Sequence, residues 1–186
     1  MKVYTRKGDD GTTGLLFGGR VPKDAPGPTA YGSTDEAVSA LGLARAESEP
    51  GSELFDLLVR LQRELFVVGA ELATLPGNRT KLVDGTTRVT AEMVTALEPV
   101  IDEITTRFDA PTEFVLPGEN RTAAALDLAR TVVRRAERET VSARSTGWID
   151  DTSQVTPYLN RLADLCWVLA RWQEGTARPA RSPDSR

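Results

Sequence analysis

The run from Ser52 to Thr74 constrains this chain most. Leu54, Leu57, Leu58, Leu61, Leu65, Val68 and Leu72 recur at helical spacing and make one broad apolar stripe, with Ser52 placed to cap its start. A stripe that long must be covered by other helices of similar length. The rest of the chain supplies them. Ser33-Thr34-Asp35-Glu36 has the form of a capping box and predicts a helix from there to about Glu47, ended by Glu49-Pro50-Gly51. Pro76-Gly77-Asn78 breaks the Ser52 helix. A third helix is expected over Thr90–Phe108, bent or split at Pro99, a fourth over about Arg121–Ala143 and a fifth over about Ser153–Glu174. Almost nothing alternates at strand period beyond fragments such as Phe114-Val115-Leu116. The expected class is all-α: five helices in an antiparallel bundle, preceded by an irregular glycine-rich segment over residues 1–31.

With 186 residues and 40% hydrophobic content the chain can bury one sizeable core, so one domain is expected over 1–175. Residues 176–186 have little to bury and are expected to be a disordered tail. The net charge of -4 argues against nucleic acid as a partner. The start lacks an apolar signal region and no stretch is long enough to span a bilayer, so no membrane partner and a cytoplasmic location are expected. The single cysteine, Cys166, lies in an apolar run and reads as core packing.

The chain contains no histidine. That removes Ser-His-Asp and Cys-His catalysis, imidazole bases and most zinc sites, and forbids a protein imidazole as axial ligand to a haem or corrin. Proton chemistry is left to carboxylates, lysine or the substrate itself.

Three stretches can carry chemistry. Tyr4-Thr5-Arg6-Lys7-Gly8-Asp9-Asp10-Gly11-Thr12-Thr13-Gly14 combines glycines, hydroxyls, carboxylates and two cations, which suits a polyphosphate and its magnesium but equally describes a solvated turn. On the fourth helix Ala125, Leu128, Ala129, Val132 and Ala136 form the expected buried stripe, while Arg130, Arg134 and Glu137 share one flank, either as a charged face or as a grip on triphosphate oxygens. On the fifth, Asn160, Asp164, Trp167 and Arg171 align opposite Leu159, Leu162, Cys166 and Leu169, again a polar face or a nucleoside contact. Phe114, before the Pro117-Gly118 turn, is either a core plug or an aromatic wall beside a ligand.

Together these strings resemble the PduO-type ATP:cob(I)alamin (corrinoid) adenosyltransferases. The matching segments are YTRKGDDGTTGLLFGGRVPKD at 4–24, AYGSTDEAVSALGLARA at 30–46, LFVVGAELAT at 65–74, FVLPG at 114–118, LARTVVRRAERE at 128–139 and YLNRLADLCWVLAR at 158–171. The resemblance implies a ferritin-like five-helix bundle over 32–175 and an ATP-binding segment over 1–31. It implies a homotrimer with active sites between subunits, ATP as adenosyl donor and cob(I)alamin as acceptor. Thr5, Arg6, Gly8, Asp9, Gly11, Thr12 and Thr13, with Lys23, match the phosphate-binding part. Arg134 and Glu137 match ATP- and Mg2+-linked positions, and Asn160 a nucleotide contact. Asp35 and Arg130 match a salt bridge across the subunit boundary, and Phe114 the aromatic that displaces the corrinoid's lower ligand.

On that resemblance cob(I)alamin is its own nucleophile and no general base is needed, which suits a chain without histidine. A cobalamin reductase and an adenosylcobalamin-dependent mutase are implied as partners. An escort that delivers adenosylcobalamin to a mutase is the rival reading. The chain departs from the family pattern at Glu119, where glycine is usual, at Val67, where aspartate is common, and at Thr29, where glutamate is common.

Overall fold

The structure, a computed structural model, describes residues 4–181. It is mostly helical. Four long helices, α1 (Pro26–Ala46), α2 (Glu53–Leu72), α5 (Arg121–Ser145) and α6 (Val155–Glu174), form the frame; α1–α2 and α5–α6 are joined by short connections, and the long α2–α5 connection carries two short helices, α3 (Ala91–Thr95) and α4 (Glu98–Thr105). Cross-helix pairs fix the directions. Ser33 bonds Glu139 and Glu36 pairs with Arg135, while Arg121 lies 3.9 Å from Glu47, so α1 and α5 run opposite ways. Asn160 meets Glu137 near one end of α6 and Arg171 meets Asp127 near the other, so α6 opposes α5.

Apart from Leu57, which is half-buried, the stripe of α2 is buried as its spacing requires, and the Ser52 hydroxyl accepts a hydrogen bond from Phe55 N at 3.2 Å. Small residues dominate the facing surfaces of α1 and α5. Ala30, Ala37, Ala40 and Ala44 on one and Ala129, Ala136 and Ala143 on the other are all buried in the shared core, which lets the two helix backbones approach closely. Leu159, Leu162, Cys166 and Leu169 face the same core from α6. Burial pushes the Cys166 thiol up to about 12, so it stays protonated and inert.

Several boundaries differ from the sequence reading. The first helix begins at Pro26, not near Ser33. Pro26 occupies the first turn, where a missing N–H costs nothing. Ser33 and Thr34 are inside the helix, and their hydroxyls bond Glu139 and the Ala30 carbonyl instead of capping it. Gly27 cannot be replaced there, because a Cβ would lie 2.1 Å from the Trp148 ring, which is itself fixed by a 2.8 Å bond from its Nε1 to the Leu72 carbonyl. The helix expected over 90–108 is split: Thr90 caps α3, and Pro99 sits in the first turn of α4. On α5, Leu128 is exposed, and Leu126, Asp127 and Val133 are buried instead.

The segment before Pro26 is not wholly irregular. Strand β1 (Thr12–Gly14) pairs antiparallel with β2 (Arg20–Pro22), and Leu16 N bonds the Ala73 carbonyl at 3.0 Å, docking the hairpin on the end of α2. At the other end of the chain, β3 (Val115–Leu116) pairs antiparallel with β4 (Arg178–Pro179), which belongs to the tail expected to be disordered. Residues 182–186 of that tail lie outside the described residues.

Candidate active site

The glycine-rich segment is organised by its own side chains. Asp10 Oδ1 accepts from Thr12 N at 2.9 Å and from Thr12 Oγ1 at 2.7 Å, and these bonds hold the Asp10 carboxyl below its ordinary range. Arg20 reaches across the hairpin, donating to Thr12 Oγ1 at 2.7 Å and to the Lys7 carbonyl. Arg6 and Gly11 both have positive φ, 60° and 80°, and turn the chain tightly. Lys23 lies over this turn: its N bonds the Gly11 carbonyl at 2.9 Å, and a Cβ on Gly8 would come within 3.3 Å of its Nζ. Thr12's hydroxyl is therefore engaged inside the loop. Thr5, Arg6, Asp9 and the Lys23 ammonium remain on an exposed rim.

On the α5–α6 face the structure brings Glu137 and Asn160 together, with Asn160 Nδ2 donating to Glu137 Oε1 at 3.0 Å. Arg134, one turn away, is exposed, and its guanidinium has no hydrogen-bond or ion-pair partner among the described residues. No hydrogen bond or ion pair among the described residues joins this face to the Thr5–Lys23 segment. Asp35 and Arg130 do not meet within the chain either. Asp35 lies in a largely apolar groove of about 420 Å³ between α1 and α2, beside Phe66, which is 67% exposed.

Arg130 belongs to a different cavity, of about 460 Å³, lined also by Phe114, Pro117, Asp127, Trp167 and Arg171. Phe114 is 89% exposed, so it is not a core plug. Trp167 forms an opposing wall, held edge-on by Phe108 at 6.5 Å and by the Arg171 guanidinium at 5.9 Å. Arg171, expected on a polar face, is 3% exposed. It is ion-paired to Asp127 and lies 3.0 Å from Glu174, whose carboxyl burial holds above its ordinary range. Asp127 in turn accepts from Arg130 Nε at 3.3 Å, which steadies that arginine at the cavity wall. Sequence reasoning missed Asp127 and Arg20. Each is one charged residue among many, and only its contacts distinguish it.

Among the described residues no group of three or more histidine, cysteine or carboxylate side chains stands close enough to hold a metal. A Mg2+ arriving with a nucleotide needs only one or two carboxylates beside the phosphates. Glu137 fits that need, since Asn160 bonds one of its two oxygens and leaves the other for a cation.

A family model described as cobalamin adenosyltransferase matches residues 3–173. The chain belongs to the cobalamin adenosyltransferase family. It is 39% identical over 175 residues to a corrinoid adenosyltransferase of Citrobacter freundii, covering 94% of this chain and 96% of that one. It is 41% identical over 174 residues to a corrinoid adenosyltransferase of Bacillus subtilis, covering 92% and 86%. Among solved structures, a phenylalanine-to-alanine variant of a PduO-type ATP:corrinoid adenosyltransferase from Lactobacillus reuteri, complexed with cobalamin and ATP, superposes with a TM-score of 0.85 at 30% identity, covering 97% of this chain and 100% of that one. No helix among the described residues is long and apolar enough to cross a membrane.

Proposed function

We propose that this cobalamin adenosyltransferase moves the 5′-deoxyadenosyl group of ATP to cob(I)alamin. Co(I) supplies the electron pair of the new Co–C bond, attacking C5′ of ATP. The C5′–O bond breaks and inorganic triphosphate leaves, so no protein base is required. The chain must align cobalt with carbon and stabilise charge on the departing oxygens.

The observation that carries this reading is Phe114. A phenylalanine left 89% exposed at the mouth of a cavity it helps to line has nothing among the described residues to cover it. An apolar wall there excludes water and the nucleotide-tail base from the lower face of cobalt. Co(II) then loses an axial ligand that had stabilised it more than Co(I), and reduction becomes easier. Arg134 supplies a guanidinium to the triphosphate, Glu137 and Asn160 hold the nucleotide and its Mg2+, and Thr5, Arg6, Gly8, Asp9, Gly11, Thr12, Thr13 and Lys23 form the phosphate-binding segment.

The finer architecture belongs to the same proposal: a ferritin-like five-helix bundle, counting α3 and α4 as one broken member, in a single domain over 1–175. The assembly is a homotrimer with sites between subunits. In support, Asp35 and Arg130 face separate cavities of one chain, so a pair between them needs a second copy. The protein would work in the cytoplasm, fed by a cobalamin reductase and drained by an adenosylcobalamin-dependent mutase.

The test is direct. Purified protein with ATP, Mg2+ and cobalamin under a reductant should convert the cob(I)alamin spectrum to that of adenosylcobalamin, with one triphosphate per cobalt. Corrinoid binding without triphosphate release would sink the catalytic reading.

A further inference from the structure

The loop that carries Phe114 is not held by its own neighbours in sequence. It is held by the far end of the chain. Gly175, at φ 73°, turns the backbone back after α6, a conformation that favours glycine. The returning strand β4 then lies along β3, with Val115 opposite Pro179 and Leu116 opposite Arg178. Ala180 N donates to the carbonyl of Phe114 itself at 2.7 Å. Arg178 Nε donates to Glu119 Oε1 at 2.8 Å, and Asn120 Nδ2 donates to the Gln173 carbonyl at 2.7 Å. Between these ties sits Gly118, at φ 120°. The loop is therefore fastened at both ends to residues 173–180, while the Phe114 side chain stands out of it. An exposed ring has no packing to choose its direction, so the backbone beneath must choose it.

We infer that residues 178–180 act as a positioning strap that sets where Phe114 stands, with Glu119 and Arg178 as its ionic clasp. This rests on the role proposed above for Phe114. The strap does not touch substrate. It holds the carbonyl and the following residues of the loop so that the ring meets the corrinoid without a search. Arg178 is mostly exposed and Glu119 only partly so, which makes the clasp weak and releasable rather than a rigid staple.

The experiment uses four variants of the full protein: truncation after Ala177, Glu119→Arg, Arg178→Glu, and the double exchange. Electron paramagnetic resonance of the cob(II)alamin complex with ATP reads the four-coordinate fraction. Truncation should lower it at least about threefold, with each single exchange giving a smaller loss, as expected for an exposed pair. The double exchange should recover most of the signal. Turnover from cob(II)alamin should fall in step, while turnover from prereduced cob(I)alamin stays within about twofold, because attack on C5′ does not use the ring. Amide hydrogen exchange at Val115 and Leu116, measured without ligands, should speed up on truncation. An unchanged four-coordinate fraction in the truncated protein overturns the strap, whatever exchange does. A parent protein that forms no adenosylcobalamin overturns the proposed function, and the strap's role with it.

Discussion

Arg134 and Arg171 make the sharpest contrast in the molecule. In the sequence they look alike: each sits on a polar flank of a long helix, beside carboxylates at helical spacing. In the fold they have opposite fates. Arg171 is buried and bound to Asp127 and Glu174 at the end of the α5–α6 pair away from their connecting loop. Arg134 is exposed and its guanidinium bonds nothing among the described residues. A buried guanidinium must be paired, because desolvation leaves it no alternative, and a paired one has no charge left to offer a ligand. A free one contributes little to the fold and remains available. On the proposed function, the same residue type serves structure in one place and chemistry in the other.

The largest effect should come from breaking the buried side. Arg171→Ala leaves the Glu174 side chain buried without its cation and Asp127 with only the 3.3 Å contact to Arg130, and should cost roughly 3–5 kcal/mol of stability. Denaturant melts would show it. A loss below about 1 kcal/mol would mean the cluster is as wet as a surface pair, and the contrast would dissolve.

Arg134→Lys tests the other side. It keeps the charge but loses the planar two-point grip. The expected result is an unchanged melting temperature with kcat/KM for ATP down by at least about tenfold, equivalent to roughly 1.4 kcal/mol in the transition state. A variant that melts early with normal kinetics would place Arg134 with Arg171.

Lys23→Ala extends the comparison to the glycine-rich segment. Its ammonium lies over Gly8 on the exposed rim, so its loss should raise the KM for ATP several-fold. Cobalamin affinity by titration should not move. If both affinities fall together, Lys23 is holding the fold of the hairpin rather than phosphate.

The smallest effect concerns a buried acid that forms no ion pair among the described residues. Glu71 accepts from Val89 N at 2.7 Å and Ser153 Oγ at 2.6 Å, yet burial outweighs these bonds and holds its carboxyl above the ordinary value of 4.5. A raised acid keeps its proton in the fold at a pH where the unfolded chain has released it. Its contribution is therefore full below 4.5 and is lost as pH rises through the folded value. Glu71→Gln should flatten that fall in a pH series of denaturant melts. A slope unchanged by the substitution would assign the fall to other groups.

What was readable in advance follows from what each signal depends on. The stripe of α2, its Ser52 cap and the extents of α5 and α6 rest on period and local capping, which a sequence displays directly. The start of α1 was misread because Ser33-Thr34-Asp35-Glu36 satisfies a local rule that tertiary contacts overrule: Ser33 is used by Glu139 and the helix has already begun at Pro26. The pairing of Glu137 with Asn160 was half visible, as two flanks with no sign that they face each other.

The sequence by itself determined a helical bundle, a chain with no imidazole, and the family to which it belongs, because periodicity, composition and motif order are properties of the string. Only the tertiary structure decided which arginine is spent and which is free, that Phe114 stands exposed, and that residues 178–180 fasten the loop beneath it. Those depend on desolvation and on hydrogen bonds between residues far apart in the chain, and neither quantity exists until the helices have packed.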